Sequence, residues 1–129
     1  RERESRALAA FIHRRKEAHQ MEKTVVESLH GGRGRVILEH LPGKEARGPH
    51  CGLYAQVTLE PGCEIGWHIH LGESETYYLL SGEGSYNDNG ETRPVKAGDV
   101  TVTASGMGHG LLNTGSEPLV MMALIVKES

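Results

Sequence analysis

Four residues have the types and the spacing to do chemistry together. His68 and His70 lie two apart in GWHIHLGESE, Glu75 follows five positions after His70, and His109 sits in a second glycine-bounded block, 98–113. Three imidazoles and one carboxylate make a full set of protein ligands for one divalent transition metal. On a β-strand alternate side chains share a face, so His68 and His70 point the same way and Ile69 the other. Residues 71–74 can form a turn. Glu75 then opens a strand-like run, ETYYLL, that can fold back beside the histidines. On an octahedral ion this set leaves two adjacent positions open. Such a site can polarise a carboxylate or carbonyl oxygen, stabilise an enediolate, or activate dioxygen if the metal is iron. Mixed nitrogen and oxygen ligation suits Mn, Fe, Co, Ni, Cu or Zn and does not choose between them.

The surrounding sequence reads as strands and tight turns. Segments 35–41 (RVILEHL), 53–59 (LYAQVTL), Val100–Thr103 and 119–126 have strand character. Glu60-Pro61-Gly62 marks a turn before the histidine strand. Asn89-Gly90 suits the left-handed backbone of a type I′ hairpin turn. Turn signals recur about every ten residues, as in an all-β sandwich or barrel. The 31–34 segment (GGRG) lacks the Lys-Ser/Thr ending of a phosphate loop and reads as a flexible entry to the first strand.

Residues 1–23 stand apart. They hold seven Lys/Arg and four Glu, whereas residues 24–129 hold seven Lys/Arg and thirteen Asp/Glu. Leu8, Phe11 and Ile12 share a helical face, with Ser5 a plausible cap, so a short N-terminal amphipathic α-helix is expected, packed on the barrel or a neighbouring subunit or else frayed in solvent. The expected organisation is a helical arm over 1–23 and a β-barrel domain over 24–129. The net charge of −3 gives no reason to expect nucleic acid or a membrane surface as partner. The longest apolar run, 119–126, is too short to span a bilayer. No signal-peptide pattern is visible, and a cytoplasmic location is expected, with Cys51 and Cys63 as free thiols.

At its metal-ligand residues the chain resembles the cupin superfamily. Gly62, His68, His70, Glu75 and Gly82 fill every fixed position of the first cupin motif. Gly98, Gly106, His109 and Asn113 match the second, in which Ala104 replaces a proline that stiffens a turn. The short 83–97 linker is like that of small single-domain bacterial members, and the sequence around Glu75 is similar to oxalate-decarboxylase-like monocupins. The resemblance implies an all-β double-stranded β-helix, or jelly-roll barrel, that holds one divalent transition metal on His68, His70, Glu75 and His109. It also implies a homodimer.

Strand alternation places Tyr77 on the face of Glu75, where its hydroxyl can line the cavity as a candidate catalytic group. Leu111 shares the face of His109, and Trp67 faces away from the metal. Alternation leaves open whether Tyr54 and Gln56 or Ala55 and Val57 face inward, and likewise Met121 and Ala123 or Met122 and Leu124. Asn113 is expected to fix a turn or support a ligand. Glu73 reads as a solvent-exposed loop acid, and histidines 13, 19, 30, 40 and 50 as non-ligands. The leading expectation is a metalloenzyme for a small oxygenated or carboxylate molecule chelated at the open positions, with decarboxylase- or dioxygenase-type chemistry. Oxalate-decarboxylase chemistry also requires a pocket acid and usually an arginine, neither of which the sequence assigns. One alternative is a non-catalytic binding or sensing module. Another is a metal-dependent sugar isomerase or epimerase, for which Lys96 is a candidate base.

Overall fold

Ala55, Val57 and Leu59 are buried while Tyr54, Gln56 and Thr58 between them are not, and this period of two shapes most of the chain. The computed structural model describes Ser5, Arg6, Leu8, Ala18 and residues 20–129. Among the described residues there are ten strands: β1 (Glu22–Glu27), β2 (Arg35–His40), β3 (Cys51–Leu59), β4 (Glu64–Ile69), β5 (Glu73–Ser81), β6 (Glu83–Asp88), β7 (Glu91–Lys96), β8 (Val100–Thr103), β9 (Gly108–Asn113) and β10 (Leu119–Lys127). A 3-10 turn, Leu29–Gly31, precedes β2. The strands form two antiparallel sheets. One has the order β1-β2-β3-β10-β5-β8 and the other β4-β9-β6-β7. This is the expected all-β jelly-roll barrel. Most of the expected N-terminal helical arm lies outside the described residues, although Glu22 and Lys23, assigned to that arm, already belong to β1.

The core fills the space between the sheets. Ala55, Val57 and Leu59 from β3 meet Met121, Ala123 and Leu119 from β10 and Tyr77 and Leu79 from β5. Ile65, Tyr86 and Leu111 face them from the smaller sheet. The two open alternation questions are thereby settled: Ala55 and Val57, and Met121 and Ala123, are the inward pairs. Leu111 is inward as expected, and Trp67 is exposed.

Two local features depart from the sequence reading, and both position the site. First, β5 does not pair with β4. The three-residue reversal over His70, Leu71 and Gly72 carries the chain to the opposite sheet, where β5 pairs with β10 and β8, while β4 pairs with β9. Glu75 therefore meets the histidines across the barrel interior. Second, β4 carries a register shift between Ile65 and His68. An extra residue there lets both Ile65 and His68 point inward, which strict alternation forbids.

The turns follow their residue chemistry. Asn89 and Gly90 adopt φ of 51° and 101°, as a type I′ hairpin requires. The turn that lacks the motif proline still forms. Met107 N–H donates to Ala104 O at 3.0 Å, and Gly106 takes φ 87°. Gly106 N–H donates to His70 O at 2.7 Å, and Gly72 N–H to Ser105 Oγ at 2.9 Å, so neighbouring chain braces the turn. Cys51 and Cys63 are free thiols. Among the described residues no helix is long and apolar enough to cross a membrane.

Candidate metal centre

The cross-strand register brings the candidate ligands together. His68 and His109 are direct partners on β4 and β9. His70 follows the end of β4, tied by its N–H to Met107 O at 3.0 Å. Glu75 arrives from β5 in the facing sheet. His68 Nε2 lies 3.1 Å from His70 Nε2 and from His109 Nε2, and the latter two are 3.0 Å apart. Glu75 Oε1 lies 3.0 Å from both His70 Nε2 and His109 Nε2, and 3.9 Å from His68 Nε2. His70, Glu75 and His109 are buried and His68 is half-buried.

With a cation bound these contacts would not be hydrogen bonds, because each Nε2 would present its lone pair. His68 Nδ1–H donates to Gly66 O at 2.8 Å, and His70 Nδ1–H to the Glu73 carboxylate at 2.6 Å. A neutral imidazole that donates from Nδ1 has only a lone pair at Nε2. His109 presents Nδ1 to the hydroxyls of Thr103 at 2.8 Å and Tyr86 at 2.9 Å, which accept its N–H when Nε2 is left to a metal. Three nitrogen lone pairs and a carboxylate oxygen thus converge on one point. Ligand bonds of about 2.1 Å at right angles put donor atoms about 3 Å apart, the spacing of most of these pairs. The longer His68–Glu75 separation suits ligands more nearly opposite one another. The donor set therefore fits one divalent transition metal.

Electrostatics keep the cluster ready for a cation. Burial alone pushes the Glu75 carboxyl up, but contacts with His109 and His68 and the field of the imidazoles outweigh it, bringing its pKa down to about 2. His109 is lowered from 6.5, first by burial and then by the neighbouring His68 and His70, against the pull of Glu75. Glu75 thus stays charged, while burial disfavours the charged form of His109. Tyr77 is raised well above 10, first by burial and then by the Glu75 charge, so its hydroxyl keeps its proton.

A cavity of about 200 Å³ opens beside the cluster. Tyr77, the sequence candidate, lines it, with its hydroxyl 3.4 Å from His109 Nε2 and its ring stacked on the His109 imidazole. Leu38, Val57, Ile65 and Ala123 make an apolar wall. Among the described residues no lysine, arginine or acid other than Glu75 lines this cavity. Lys96 is exposed at the end of β7 and borders a different surface hollow of about 650 Å³. Asn113 touches no ligand. Its Nδ2 donates to Leu59 O and Glu117 O at 2.8 and 2.9 Å, and its Oδ1 accepts from Gly115 N–H, so it fixes the turn after β9.

Several site residues were not legible in the sequence. Glu73, read as an exposed loop acid, instead lies at the head of β5 with its side chain 27% exposed and bonded to His70. Its separation of three from His70 was the available signal. Tyr86 and Thr103 come from β6 and β8, and only their inward alternation marks them. His30, read as a non-ligand, contributes no atom to the cluster, yet its ring stacks on His68 at 3.9 Å between centroids. Histidines 40 and 50 lie elsewhere, and 13 and 19 fall outside the described residues.

A jelly-roll barrel with a convergent three-histidine, one-glutamate cluster inside defines a class of metal-site proteins. The cupin domain model matches residues 55–126, and the chain belongs to that family. It is 45% identical over 101 residues to an oxalate-binding protein of Thermotoga maritima, covering 78% of this chain and 84% of that one. A crystal structure described as a predicted oxalate decarboxylase from Thermotoga maritima superposes with a TM-score of 0.80 at 40% identity, covering 86% of this chain and 96% of the other. The oxalate decarboxylase OxdC of Bacillus subtilis is 36% identical over 75 residues, which is 54% of this chain but only 20% of that enzyme.

Proposed function

We propose that the chain holds one divalent transition metal on His68, His70, Glu75 and His109 and binds oxalate, or a carboxylate molecule of similar size, at the two remaining coordination positions. The observation that carries the reading is the convergence of four lone-pair atoms, 3.0–3.9 Å apart, at the edge of a 200 Å³ cavity. Four protein ligands would leave an octahedral ion two positions for a chelating molecule. Two adjacent positions suit chelation through one oxygen of each carboxylate. The small volume selects against larger molecules, and the oxalate-related relatives point the same way.

When bound, the metal supplies Lewis acidity toward the carboxylate oxygens. The protein residues do the rest. Glu75 and the imidazoles fix the ion. The apolar wall lowers the polarity around the site, which strengthens polar contacts inside. Tyr77 holds a proton next to the ligand site. Turnover is the leading reading, with oxalate giving formate and carbon dioxide or undergoing oxygen-dependent cleavage. The lack of a free acid or arginine among the described cavity residues favours a second reading, a binding module without turnover.

Elemental analysis of protein purified without added metal tests the site. About one transition-metal ion per chain is expected, lost in His109→Ala. Protein that takes up no metal even after reconstitution refutes the reading. Incubating the loaded protein with oxalate and assaying formate, carbon dioxide and peroxide then separates the two readings. Release of product supports the enzyme, and binding without product supports the module.

We also propose a homodimer, supported by an apolar outer face on the six-stranded sheet that includes Tyr54, Tyr78, Val100, Val102 and Leu124, all at least a third exposed.

A further inference from the structure

A dicarboxylate chelated through one oxygen of each carboxylate turns its other two oxygens away from the metal. Such oxygens, buried without a donor, are costly. The cavity has few donors to offer. His68 and His70 spend their Nδ1 protons on Gly66 O and Glu73, and most of the wall is apolar. Tyr77 provides one hydroxyl. Among the described cavity residues the remaining N–H belongs to His30.

His30 is an exposed residue that lines the cavity, and its loop holds it in place. Its ring lies nearly parallel to His68, at 12° and 3.9 Å, and stands at the cavity wall. Neither of its ring nitrogens has a hydrogen-bond partner among the described residues. Its backbone is left-handed, at φ 52° and ψ 33°, as is that of Ser28 at φ 50°. Two non-glycine residues in that region within three positions persist only where surrounding structure enforces them. Here it does. Ser28 N–H donates to Gly34 O at 2.9 Å, and Gly31 N–H to Ser28 O at 2.9 Å. The loop backbone presses against β4 so closely that a Cβ on Gly66 would collide with the His30 carbonyl oxygen, and one on Gly32 with Glu64 O. The strand that carries His68 therefore also fixes His30.

We propose that His30 is a ligand-binding residue of the cavity, donating its ring N–H to an oxygen of the chelated dicarboxylate that faces away from the metal. This rests on the functional reading above. It assigns one outer oxygen of oxalate to His30, in a cavity that the Tyr77 hydroxyl also lines.

The test is calorimetric titration of manganese-loaded protein with oxalate and, separately, with acetate. Acetate has a single carboxylate and no distal pair for His30 to meet. His30→Phe keeps a ring against His68 and removes the donor. His30→Gly removes the ring and relaxes the backbone. Both variants should retain the manganese content of the wild type. Each should weaken oxalate binding by about tenfold or more, the size of a lost hydrogen bond to a charged group, and leave acetate binding unchanged. If one variant fails to hold manganese, the other decides. Oxalate affinity equal to wild type in a variant that holds manganese overturns the proposal, and so does an equal loss for acetate. Failure of the wild type itself to bind oxalate refutes the functional reading, and His30 falls with it.

Discussion

Glu73 stands two residues before the ligand carboxylate and accepts a 2.6 Å hydrogen bond from His70 Nδ1. That bond fixes the ring and raises the basicity of the nitrogen that would face a bound metal. Replacing it with the neutral amide of Glu73→Gln should weaken metal affinity by about 10–100-fold, measured by competition with a chromogenic chelator, while the fold is retained. An affinity within twofold of wild type would show that the bond is incidental. The pH dependence follows from His109. Its folded-state value is lowered from 6.5, so the unfolded chain binds the proton more tightly. Stability of the metal-free protein is then fully present above about pH 6.5 and falls as the solution is acidified below it. The same protons compete with the metal, so affinity falls over the same window. Thermal unfolding of metal-free protein at pH 7.5 and 5.5 checks the sign, with the lower melting temperature expected at pH 5.5. The four candidate ligands were legible because two spaced cupin motifs specify them jointly. Glu73, Tyr86, Thr103 and His30 were not, because each matters through a neighbour brought to it by the fold.

At the scale of elements, β4 does more than present two histidines. Its register shift turns both Ile65 and His68 inward, and Gly66 leaves room for the His30 carbonyl oxygen. A Gly66→Ala change forces backbone apart on both sides. It should cost about 1–3 kcal/mol, as overpacking typically does, and displace the 28–34 loop from the cavity. Denaturant unfolding measures the first effect, and an unchanged midpoint would mean that the two segments are not held together. Period-two alternation made the strand character of β3, β5, β8 and β10 readable from sequence, and Asn89-Gly90 announced its hairpin. The bulge was unreadable because strict alternation already explained the His68–His70 pair. The crossing of β5 to the other sheet was unreadable for a different reason. A short turn after β4 permits a hairpin, and only the distant pairing of His68 with His109 decides that β4 takes β9 as its neighbour.

The whole-molecule architecture was legible because two spaced motifs and a regular series of turns leave a barrel as the simplest arrangement, but the outer surface was not. Registry across the larger sheet aligns Val102, Thr76, Leu124 and Tyr54 in one row and Val100, Tyr78, Met122 and Gln56 in the next. Val100 and Val102 are each 58% exposed and Tyr78 is 46% exposed. A sheet face this apolar is costly to leave in water, and a two-fold partner can cover it with the identical patch. Sedimentation equilibrium should therefore give the mass of two chains. Tyr78→Glu puts a charge at the centre of the face. In a two-fold interface it enters twice. Even about 2 kcal/mol per copy amounts to about a thousandfold in dissociation constant, enough to yield monomers at micromolar concentration. The cavity lies inside each barrel, so metal content should not change. A protein lacking residues 1–20 should stay dimeric if the sheet holds the pair, and a monomeric mass there would assign the contact to the N-terminal segment. A wild-type mass of one chain would sink the dimer outright.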